Sequence, residues 1–191
     1  MKINEKYPTI LKLQQIFKLG YLPSRGNQSY KECRQYAIPN CFAHACFNLT
    51  NEQLEKFNKA DFGAFRGFIQ SIFHANRHIT ADLFDFVREC GLKVTKSNSR
   101  IPSRDNEWKV ALYFGKERFT KDYHFLLQEK DGSWSGKIGS EMELNHYPTL
   151  PKQVQCNFEY PYTLYGVYKI TNPFACKSKR SPKIDNEEKE I

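Results

Sequence analysis

The sequence has no run of eighteen apolar residues, so no segment is expected to cross a membrane as a helix. Its opening, Met1-Lys-Ile-Asn-Glu-Lys-Tyr-Pro8, has no apolar core followed by small residues, which argues against a secretory signal. No Cys-x-x-Cys pair occurs among the six cysteines, at positions 33, 41, 46, 90, 156 and 176, and none has the spacing of a zinc site. Free thiols in a reducing compartment such as the cytoplasm are therefore expected. There is no internal repeat and no glycine-rich phosphate loop, so neither an organic cofactor nor a metal is implied.

What is there is a chain of 191 residues, rich in Phe and Tyr, long enough for one domain with a real core. The net charge of +8 is compatible with an anionic partner. The basic residues are scattered, however, and the one dense run, Lys177 to Lys183, lies in a tail that ends in acidic Asp185 to Glu190. That composition reads as a solvated, disordered end over 176–191, with a domain over 1–175. No nucleic-acid motif is present, so nucleic acid is the less favoured partner.

Helical patterning comes first along the chain. Residues 8–18 carry Pro8 in a first turn and an apolar stripe of Ile10, Leu11, Leu13, Ile16 and Phe17. A helix beginning at Cys41 is expected to run through Leu49. Thr50 and Gln53 have the spacing of a capping box, and Phe62, Phe65, Phe68, Ile69, Ile72 and Phe73 read as the buried side of a helix. Thr80 to Gly91 is the clearest helix, with Thr80 as its cap and Gly91 as its stop. The period then shortens towards two. Lys93–Lys96, Trp108–Phe114 and Leu164–Ile170 read as strands, and Asp131-Gly132 turns a hairpin between 123–129 and 133–138. Residues 140–162 read as an irregular excursion. Helices followed by antiparallel strands give an α+β domain.

The chemistry concentrates on Gln35-Tyr-Ala-Ile-Pro-Asn-Cys41-Phe-Ala-His44. A cysteine where a helix begins lies beside unpaired N–H groups, which stabilise a thiolate and an adjacent oxyanion. Gln35 is placed to add a second donor. A base is then required, and Asp122-Tyr-His124-Phe-Leu-Leu offers one on a strand. His124 shares its face with Leu126. The competing reading is bland: a thiol in an Ala-rich helix often only packs, as Cys46 is expected to do, and a strand histidine is often structural. His44 lies nearly one turn from Cys41 and within its reach, but is poorly placed to swing towards a leaving group.

These residues resemble the papain-like cysteine peptidases: Gln35, Cys41 six positions later on a helix, and the later Asp-x-His124 strand. Asp131-Gly-x-Trp134-Ser-x-Lys-x-Gly139 narrows the resemblance to small bacterial and phage-encoded proteins of that type. It covers roughly 33–170. It implies a nucleophile helix packed on an antiparallel sheet, Cys41 as nucleophile, His124 as base, Gln35 in the oxyanion site, and a protein or peptide substrate. Where that group often has a histidine after Trp-Ser, this chain has Gly136. The group that would orient His124 is left open among Ser135, Asp131 and Asn145, with a bare Cys–His dyad or an inactive domain as the alternatives.

Overall fold

The computed structural model describes residues 8–23, 41–54, 57, 79–116, 121–138, 144–156 and 160–175. Gln35, Cys33, the aromatic stripe over 62–73, Gly139, Cys176 and the charged tail lie outside these residues. Four helices and seven strands are described: α1 (Pro8–Lys18), α2 (Cys41–Cys46), α3 (Asn51–Leu54), α4 (Ile79–Glu89), β1 (Lys93–Ser97), β2 (Glu107–Lys116), β3 (Lys121–Gln128), β4 (Trp134–Lys137), β5 (Leu144–Tyr147), β6 (Gln153–Gln155) and β7 (Pro161–Thr171). The strands form one antiparallel sheet in the order β1-β7-β2-β3-β4-β5, with β6 added beside β7. The α+β class is therefore as expected.

Local chemistry sets the helix limits. Thr50 N–H donates to the Gln53 side chain at 3.0 Å and Gln53 N–H donates back to Thr50 Oγ1 at 3.3 Å, a reciprocal cap at the start of α3. Helix α4 ends where Gly91 takes a φ of 89°, a left-handed conformation that a Cβ would strain. It begins at Ile79, so Thr80 lies inside its first turn instead of capping it. Helix α2 is shorter than the expected run to Leu49. Phe47 N–H still makes the helical bond to Ala43 O, but Asn48 N–H returns to the same Ala43 O, at 3.1 Å, and Asn48 takes a left-handed φ of 37°, which ends the helix. Residues 140–162 also depart from expectation: they contain β5, paired with β4, and β6, paired with β7.

The sheet separates two apolar layers. On one side Trp108, Val110, Leu112, Phe125, Leu127 and Ile170 pack against the helices, with Phe42 of α2 edge-on to Phe125 at 5.2 Å between ring centres. On the other, Ala111, Tyr113, Leu126, Trp134, Val154, Tyr162 and Val167 form a smaller layer, to which β6 contributes Val154. Alternation along the strands assigns each residue to its side. Asn172, at the end of β7, ties the end of α1 to the sheet by donating to Phe17 O at 3.0 Å and Tyr21 O at 2.7 Å. Among the described residues no helix is long and apolar enough to cross a membrane.

Candidate active site

Helix α2 lies across β3 and β4, and Cys41 is its first residue. Strand β4 pairs with β3 only from Leu126↔Gly136 to Gln128↔Trp134. The N-terminal part of β3 thus runs on without β4 beside it, and the backbone of Phe125 in that part hydrogen-bonds the Cys41 sulfur. The Phe42 backbone does the same from within the helix. The cysteine is 7 % exposed, and burial pushes its thiol up to about 12. The charge of Asp122 pushes the same way, while the two backbone contacts and the charge of Lys137 oppose it. The resting group is a neutral thiol.

His124 belongs to β3 and is 2 % exposed. Phe125 faces the helices, so alternation directs His124 to the opposite side, with Leu126. A Cβ placed on Gly136 would come within 3.0 Å of His124 Nε2 and 2.2 Å of a Leu126 methyl. The space that a side chain at 136 would take is filled by these two residues. His124 Nε2 is buried without a hydrogen-bond partner, and burial lowers the ring to about 4. Tyr162 lies edge-on to it at 6.4 Å, and the Tyr162 hydroxyl donates to Asp122 at 2.5 Å.

The three residues left open as orienters all have other partners. Asp131 is in the exposed turn, where it accepts from Ser133 N–H at 2.9 Å and from Ser133 Oγ at 2.6 Å. Asn145 stands opposite Gly136 on β5, and its side chain hydrogen-bonds Tyr147. Ser135 is fully buried on the helix side of β4, where its hydroxyl donates to Glu129 and lies 3.3 Å from Nε2 of His44. His44 is buried too. Burial lowers it to about 4, and positive charge on Lys137, His124 and His146 acts in the same direction.

The residues proposed from sequence therefore fall on two sides of the sheet. Cys41 and Ser135 are on the helix side, together with His44, Lys137 and His146, the cross-strand partner of Ser135. His124 and Asn145 are on the other. Glu129 had no sequence signal, and Lys137 stood only as the lysine of the Asp131-Gly-x-Trp134-Ser-x-Lys-x-Gly139 resemblance with no role attached; what brings both to the site is the β3–β4 pairing. Cys46 and Cys90 are fully buried in the core, and Cys41, Cys46, Cys90 and Cys156 are all free thiols. Among the described residues no group of three or more His, Cys, Asp and Glu is arranged to hold a metal.

No family model matches the chain, and neither a curated protein nor a solved structure matches it.

Proposed function

We propose that the protein is a cysteine-dependent acyl-transfer enzyme of papain-like type, acting on an amide bond of a protein or peptide. The Cys41 sulfur attacks the carbonyl, a histidine takes the thiol proton and returns it to the leaving nitrogen, and water cleaves the thioester. The resemblance assigns the proton to His124 and one oxyanion contact to Gln35. Peptide hydrolysis, deamidation of glutamine and transfer to an amine use the same parts.

The observation that carries this reading is the setting of the sulfur. Cys41 begins a helix, its sulfur is met by the backbone of both Phe42 and Phe125, and Phe125 directly follows His124. Backbone N–H groups converging on a sulfur can also serve an oxyanion that forms beside it. A second reading, a non-catalytic domain of this type that binds a protein partner, is favoured by the burial of Cys41 and its raised thiol.

The test is turnover on a panel of peptide amides and glutamine-containing peptides, following both cleavage and ammonia release. The enzymatic reading expects activity that Cys41→Ala removes while the thermal melt stays cooperative. An inert parent protein, or activity that persists in Cys41→Ala, leaves the binding-domain reading.

A further inference from the structure

We propose, building on the thiol reading above, that His44 is the base that takes the Cys41 proton, and that Ser135 and Glu129 hold its ring in the tautomer required. The placement comes first. Cys41 and His44 are three residues apart on one short helix, a spacing that makes their side chains neighbours about 5–6 Å apart at Cβ. The contact between His44 and Ser135 puts that side of α2 against β4. His124 points to the far side of the sheet, against Gly136 and Leu126.

Hydrogen-bond direction then fixes the proton. An ionised carboxylate only accepts, so Ser135 gives its hydroxyl hydrogen to Glu129. The Ser135 oxygen is left as an acceptor, and His44 Nε2, at 3.3 Å, is its donor. The proton of neutral His44 is thereby on Nε2, and the lone pair is on Nδ1. Carboxylate, hydroxyl and imidazole form a relay in which the ring is oriented by a buried serine. His124 has no such lock, since its Nε2 has no partner.

The charges around His44 define when it works. Lys137 on β4, His124 on β3 and His146 on β5 all oppose a proton on the ring, and burial opposes it more. Glu129 is linked to the ring through the Ser135 hydroxyl. No thiolate–imidazolium pair stands at rest. The proton passes from Cys41 Sγ to His44 Nδ1 as the sulfur–carbon bond forms, the electron pair of the S–H bond staying on sulfur. It returns to the leaving nitrogen as the carbon–nitrogen bond breaks; because the ring is held by Ser135 and does not swing, this requires the leaving nitrogen to approach on the His44 side of the sulfur. As the helical neighbour of Cys41, His44 is assigned the part of catalytic base, whereas Ser135 and Glu129 are positioning residues.

The test uses the full chain in two measurements. Long-range proton–nitrogen NMR of histidine-labelled protein at neutral pH is expected to show His44 with its proton on Nε2, and to lose that preference in Ser135→Ala and in Glu129→Gln. Acylation of Cys41 by p-nitrophenyl acetate, followed by mass spectrometry of the Cys41 peptide, is expected to slow about 10²-fold in His44→Gln, within the range for loss of a general base. It is expected to slow in Ser135→Ala and recover in Ser135→Thr, which keeps the hydroxyl. A His44 proton found on Nδ1, or acylation that slows in His124→Gln and not in Ser135→Ala, overturns the assignment and leaves the thiol reading standing. Failure of the parent to be acylated at Cys41 overturns both. The parent tautomer decides the matter even where a variant does not fold.

Discussion

The backbone of Phe125 hydrogen-bonds the sulfur of Cys41 at the point where β4 no longer accompanies β3. A helix start and a strand are thereby joined through the side chain that the proposed chemistry needs, and the consequences separate Cys41 from the other core thiols.

Cys41→Ala is expected to abolish turnover. Cys46→Ala, which removes a sulfur from a fully buried position in the core, is expected to keep turnover and lose about 1 kcal/mol of stability. Urea titrations and initial rates of the two variants, taken together, check this. A dead Cys46→Ala enzyme with a normal urea midpoint would contradict it.

Among Ser135, Asp131 and Asn145, only Ser135 hydrogen-bonds a histidine of the site. Ser135→Ala is therefore expected to reduce turnover by ~10²–10⁴, as removal of an orienting group does in other hydrolases. Asp131→Ala and Asn145→Ala are expected to stay close to the parent. Side-by-side rates with Cys41→Ala as the floor decide it.

Gly136→Ala brings a methyl onto the Leu126 side chain at 2.2 Å and towards the His124 ring at 3.0 Å. The expected cost is about 1–3 kcal/mol, the range for overpacking a filled interior. A shorter denaturant range with an unchanged slope is the measurement. An unchanged midpoint would mean that Leu126 and His124 can both move aside freely.

Both His44 and His124 are lowered from the ordinary 6.5 to about 4, with burial as the main cause. On acidification the unfolded chain takes up protons first, below 6.5, and the folded rings follow only near 4. Their contribution to stability is thus complete above pH 6.5, falls between 6.5 and 4, and levels off below. Each ring accounts for about 3 kcal/mol across that window by proton linkage. Urea midpoints between pH 4 and 8 should show the slope, and His44→Gln and His124→Gln should each flatten it.

Much of this architecture can be read from local sequence. Pro8 with an apolar stripe of Ile10, Leu13, Ile16 and Phe17 (Leu11, also expected in it, is exposed), the Thr50–Gln53 cap, Gly91 and the Asp131-Gly132 turn each act within a few residues, and each is found at work. Strands β5 and β6 were illegible because Leu144-Asn-His-Tyr147 and Gln153-Val-Gln155 owe their extension to pairing with β4 and β7, not to their own patterning. The site divides in the same way. That His124 shares a face with Leu126 follows from alternation along one strand. Which side of the sheet α2 covers is a long-range matter, and it decides that Ser135 meets His44 and that Glu129 lies behind it. Lys137 is by sequence a motif lysine on the second strand of the Asp131-Gly132 hairpin, yet it is 1 % exposed and its charge reaches both Cys41 and His44.

The contact between Phe125 and the Cys41 sulfur would also make the sheet a recorder of the proposed chemistry. While the sulfur is free, it accepts from the Phe125 backbone in a part of β3 that β4 does not pair. Once the sulfur carries an acyl group, its electrons are shared with the thioester and the group needs room, so the amide beside it loses its partner. Deuterium uptake at Phe125 should then quicken for as long as the thioester lasts and slow again when water releases it. The lifetime of the intermediate would be legible in the backbone of β3.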